Sequence, residues 1–162
     1  MRENARGGTL KTAAVLALAA LFFLLSVGSA LLGSGVYRRV AAETAAVSDR
    51  RTALSYLANQ LRRADARGGI SVGRCGDSDA LFLADADTAG YSTCIYCYDG
   101  ALRELYADES AGLTAADGVE LLALSGLSVT ADGAALTLTV TGSDGVPAAL
   151  TVTPRCGYEV RP

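Results

Sequence analysis

Apolar residues fall along this chain in three regimes. From Thr12 to Leu32 they are nearly continuous: TAAVLALAALFFLLSVGSALL carries no charge. From Val36 to Ala64 they recur at helical spacing, and beyond Gly68-Gly69 they alternate with polar residues. The first regime is long enough to cross a bilayer, which takes about 20 apolar residues at about 1.5 Å each. In the second, Val40, Val47, Leu54 and Leu61 lie seven apart, with Leu57 between the last two. That places them on one stripe of a helix, with Arg38, Arg39, Glu43, Arg50, Arg51, Arg62 and Arg63 mostly off it. No proline occurs between Met1 and Gly145. The pattern therefore predicts one helix from about Thr9 to Asp65, bent at Gly33-Ser34-Gly35 and ended by Gly68-Gly69.

In the third regime the period is two. Strands are predicted over Asp79 to Ala84, Tyr91 to Tyr98, Ala101 to Ala107, Val119 to Leu124, Leu127 to Thr130, Leu136 to Thr141 and Ala149 to Thr153. Asp99-Gly100 between two β-rich runs is a strong hairpin signal. Sequential hairpins imply an antiparallel sheet, and a sheet needs one face covered. The helical residues Leu54, Leu57 and Leu61 are the expected cover. The fold expected is α+β: a long N-terminal helix packed on a small antiparallel sheet. Its divisions are a basic leader (1–11), a transmembrane segment (12–36), the extramembrane part of the helix (37–67) and a sheet domain (68–162).

Composition narrows the function more than it names one. The net charge of -3 over 162 residues gives no basic field for nucleic acid. There is no histidine, so the commonest general base and metal ligand are missing. No serine has a nameable base partner, and no small-molecule substrate, cofactor or metal is expected; the chain reads as a non-enzyme. Small residues Ser26, Ala30 and Ser34, and also Ser29 and Gly33, are spaced by four, as in faces that let membrane helices approach closely.

The leader carries Arg2, Arg6 and Lys11 against Glu3, which favours a cytoplasmic N-terminus; Arg38 and Arg39 beyond the span weaken the asymmetry. The chain after the span is then extracytoplasmic, in a single-pass protein of the cell membrane. The span itself reads three ways. It is a retained anchor, a secretory signal cut after Gly28-Ser29-Ala30, or a helix released behind a prepilin-type leader by cleavage between Gly8 and Thr9. Retention is favoured because the apolar periodicity continues past the span. The glutamate usual five residues into a mature pilin is missing; Ala13 stands there.

Cys75, Cys94, Cys97 and Cys156 all lie beyond the span. Their even number suits two disulfides in an oxidising compartment; buried thiols are the alternative. Cys94 and Cys97 form a C-x-x-C, but within a predicted strand they point to opposite faces, roughly 10 Å apart at ~3.3 Å per residue. They therefore neither bond to each other nor easily share a zinc ion. Cys75 with Cys156, or either of these with Cys94 or Cys97, all remain open. Asp77, Asp79, Asp85 and Asp87 match no complete calcium loop and read as solvated turn acids. Tyr91, Tyr96, Tyr98 and Tyr106 read as sheet packing with hydroxyls at the rim.

The layout resembles the pilin fold, and more narrowly the minor pseudopilins of type II secretion, type IV pilus and competence systems. The features that carry this are the span, the helix end SYLANQLRRAD (Ser55 to Asp65) and the hairpin YSTCIYCYDGALREL (Tyr91 to Leu105). Over nearly its whole length the chain is also similar to a family of single-span, pilin-like proteins of Firmicutes known as a domain of unknown function. The resemblance implies a structural role: a minor subunit in the membrane lipid, contacting other pilin-like subunits through its N-terminal helix, with no catalytic residues. The alternative is a signal-anchored or secreted extracytoplasmic binding module with no filament role.

Overall fold

The computed structural model describes the backbone of residues 3–108 and 110–161, and the side chains of these except 3–10 and 31–34. The chain divides into two compact units, Met1–Ala42 and Glu43–Pro162. One helix, α1 (Glu3–Arg63), supplies all the described structure of the first unit and opens the second. It remains helical through Gly33, Ser34 and Gly35. It ends where expected from the glycine pair, for a local steric reason. Gly68 takes a φ of 72°, and a Cβ on Gly69 would collide with the carbonyl oxygen of Ala64.

In the second unit, the described residues form nine strands in two sheets. These are β1 (Ile70–Cys75), β2 (Ser78–Ala84), β3 (Tyr91–Tyr98), β4 (Ala101–Asp108), β5 (Val119–Ala123), β6 (Gly126–Asp132), β7 (Ala135–Thr141), β8 (Pro147–Val152) and β9 (Glu159–Val160). The larger sheet has the order β5-β4-β3-β2-β1-β9, and the smaller is β6-β7-β8. All pairs are antiparallel except β1 with β9, which is parallel. The architecture is α+β, as the period predicts. β1 and β9 are additions to the expected strands: β1 (ISVGRC) carries Arg74 where the alternation of Ile70 and Val72 would need an apolar residue, and β9 has only two residues. The Asp99-Gly100 hairpin forms, with Tyr98 opposite Ala101 and φ values of 50° and 73° at the two turn residues.

The main core cluster is shared by the helix end and both sheets. Ala53, Leu57 and Leu61 come from α1, Leu81, Ile95 and Leu102 from the larger sheet, and Leu136, Leu138 and Val140 from β7. β7 is the clearest product of its sequence: Leu136, Leu138 and Val140 are fully buried, and the threonines between them are half-exposed. Burying each such side chain contributes about 1.5–3 kcal/mol. The helix stripe differs from the seven-residue spacing. Its buried line is Ala46, Arg50, Ala53, Leu57 and Leu61, with Leu54 at the margin, while Val40 and Val47 are 55% and 47% exposed. Ala46, Ala53 and Arg50 complete the covered face, with Arg50 reaching Asp144 in the β7–β8 turn. A hydrophobicity pattern weights large side chains, so its stripe, which shares Leu57 and Leu61 with the buried line, is centred about 60° around the helix from it.

Candidate functional site

The first candidate is the apolar face of the Met1–Ala42 unit. Val15, Leu16, Leu18, Leu21, Phe22, Phe23, Leu24 and Leu25 are each more than half exposed. The most apolar 18-residue stretch has a mean hydropathy of 2.5, and none of it is buried. Ser26 and Ser29 each donate their hydroxyl to a carbonyl one turn back, on Phe22 and Leu25, both at 2.8 Å. Their polar atoms are therefore satisfied inside the helix, as a hydrocarbon surrounding demands. The helix is long and apolar enough to span a membrane. Arg2 and the side chains at the Gly8–Thr9 junction lie outside the described residues, as does the side chain of Ser34.

In the Glu43–Pro162 unit, a set of polar clamps fixes the helix end to the sheets. Arg50, only 8% exposed, pairs with Asp144 in the β7–β8 turn. Gly142 makes room for it, since a Cβ there would meet the guanidinium. This hydrogen bond, with that from the Val146 amide, holds the Asp144 carboxyl below its usual range. Tyr56 donates to Glu104 on β4 and accepts from Gln60 at 2.9 Å. Burial, then the bond to Glu104, pushes the Tyr56 phenol up to about 12. Just past the helix, Asp65 accepts from the amides of Arg155 (3.0 Å) and Cys156 (2.9 Å), which lowers its carboxyl. None of these clamps has a signal in the sequence, because each joins residues about 50 to 94 positions apart.

The residues weighed for chemistry separate. Asp79 accepts from the Ser128 hydroxyl and the Val129 amide, both at 3.0 Å, and so ties β2 to β6. Asp85 accepts from the Tyr106 hydroxyl at 2.5 Å and the Asp87 amide at 2.8 Å. Asp79 and Asp85 thus serve different places, and among the described residues no three His, Cys, Asp or Glu side chains converge to hold a metal. Tyr91 stacks on Tyr106, ring centroids 5.4 Å apart. Tyr96 is wholly buried, not at the rim as its sequence context suggests, and donates to the Ala115 carbonyl at 2.9 Å.

Cys94 and Cys97 do face opposite sides of β3. Cys97 packs against the main core, its thiol 3.7 Å from the Leu124 carbonyl oxygen, and burial pushes it up to about 11. Cys94 lies on the other side, in a small cluster with Ala80 and Tyr96, where Cys75 also packs. Cys156 is exposed. An open cavity of about 620 Å³ lies at the hairpin tips, lined by Cys75, Asp77, Asp79, Cys97 and Asp99 among others.

Residues 48–143, more than half of the chain, match the family described as "Domain of unknown function (DUF4860)". No curated protein and no solved structure matches the chain. The chain belongs to the DUF4860 family.

Proposed function

We propose that this DUF4860 member is a membrane-anchored structural subunit of pilin-like type, acting through protein contacts rather than chemistry. The observation that carries the reading is the fully exposed apolar helix surface. In water, each exposed Leu or Phe forgoes about 1.5–3 kcal/mol of burial. Lipid, or the helices of other subunits, would supply that burial. The basic leader orients the N-terminus to the cytoplasm and the sheet domain to the outside. In a filament, the same helix would pack against neighbouring pilin-like subunits in a type IV pilus or type II secretion-like assembly. The alanine at position 13, where pilins carry a glutamate, favours a minor or tip position over a bulk subunit.

The test is the mature N-terminus of protein from its native host, by intact mass and N-terminal sequencing. A chain beginning at Thr9 supports prepilin-type processing and filament entry. A chain beginning near Leu31 removes the span and sinks the reading in favour of a secreted binding module. An uncut, membrane-bound chain leaves an anchored protein without leader processing.

A further inference from the structure

We propose that Cys75 and Cys94 form a disulfide, with Cys97 and Cys156 left as thiols. Its formation in the cell rests on the extracytoplasmic placement proposed above; the pairing itself does not. β1 and β3 are separated by β2, and through Phe82 of β2 Cys94 stands level with Ser71, four residues from Cys75; a flat sheet would hold the two cysteines roughly 16 Å apart, beyond bridging range. The tip of the β1–β2 hairpin extends past that flat region. β2 pairs with β3 only from Ala80 to Ala84, whereas β1 and β2 stay paired out to Cys75 and Ser78. Beneath the tip is Ala80, fully buried and with only a methyl group. At the turn, a Cβ on Gly76 would stand 3.9 Å from the Ala115 methyl, and Ala115 accepts the Tyr96 hydroxyl. The tip is thus folded toward the face that carries Tyr96 and Cys94. Cys75 joins their cluster, close enough to Cys94 for the two thiols to perturb each other's titration. Cys97 is on the opposite face of β3, and Cys156 is held by Asp65 beyond the helix end.

The oxidant is a low-molecular-weight disulfide such as oxidised glutathione. Cys75 lines the open cavity and is the accessible thiol, while Cys94 is buried. The Cys75 thiolate attacks one sulfur of the oxidant, breaking its S–S bond and expelling one thiolate. Cys94 then attacks the Cys75 sulfur of the mixed disulfide and expels the second. The two cysteine protons end on the two released thiols, and the oxidant takes up the two electrons. Burial raises both thiols above their ordinary range, so the reaction runs faster in alkaline buffer.

The full chain in detergent is incubated with oxidised glutathione, alkylated and digested with chymotrypsin, which cuts at Phe82, Tyr91 and Tyr96 and so separates Cys75, Cys94 and Cys97. The expected product is a Cys75–Cys94 linked peptide, lighter by about 2 Da than the two free peptides together. It is retained in Cys156→Ser and lost in Cys75→Ser. Four alkylated thiols, or a link through Cys97 or Cys156, overturns the pairing. The link in purified chain but free thiols in protein taken directly from cells upholds the pairing and overturns the extracytoplasmic placement.

Discussion

Arg50 is the only charged residue buried among the described side chains, and it lies on the helix face that meets the sheets. A guanidinium that is never neutral at ordinary pH needs a fixed anion there, and Asp144 is that anion. The Asp144 carboxyl is lowered by the bond from Arg50, then by the Val146 amide. A carboxyl lowered on folding adds stability above its unfolded value, about 3.9, and loses it as pH falls through the folded value. The unfolding midpoint of the full chain in detergent should therefore drop below about pH 4. Asp144→Asn should lower stability at neutral pH and flatten that acid limb. An acid limb identical to that of the unsubstituted chain would show that the pair contributes nothing.

At the level of elements, the helix end is the piece whose surface had to be chosen. Leu57 and Leu61 are buried, but the face they share is completed by Ala46, Arg50 and Ala53 rather than by Val40 and Val47. Truncating Leu57 leaves a cavity shared by helix and both sheets, so Leu57→Ala should cost about 2–5 kcal/mol. Val47→Ala should change stability by less than about 0.5 kcal/mol. Denaturant titration of the two variants decides which stripe faces the sheets; equal losses would contradict the packing. The strands were more legible than this. β3, β4 and β7 lie within a residue of their alternating patterns, because a half-buried strand writes its faces into successive residues. β1 was not, because Arg74 breaks the alternation begun by Ile70 and Val72, and β9 was not, because its two residues pair with an edge supplied from elsewhere in the chain. Arg161 completes that edge, donating to Ser71 at 2.7 Å with its guanidinium 4.3 Å from the Phe82 ring.

On the scale of the whole molecule, the two units pose opposite solvation problems. The Glu43–Pro162 unit buries its own core. The apolar stretch of the other unit has none of its surface covered. Replacing Leu21 by arginine places a charge near the middle of that stretch, at a cost of about 2.5–3.5 kcal/mol of insertion free energy. Leu21→Arg should shift the chain from the alkali-resistant membrane fraction to the soluble or degraded fraction. Unchanged membrane retention would mean that the stretch is not the anchor.

The sequence by itself determined what depends on neighbours in the chain: the apolar span, the helix, its glycine stop, the Asp99-Gly100 turn and the alternating strands. Each of these is decided within a few residues, by backbone sterics or by the period of side chains around an axis. The tertiary structure decided what depends on distant partners. It split the strands into two sheets, set β9 parallel beside β1, and turned the helix so that its alanines and Arg50 face inward. It also brought Cys75 to Cys94 across Ala80, a meeting that spacing along the chain left open among several. Contacts of this kind follow from how closely surfaces approach, and no local pattern encodes that distance.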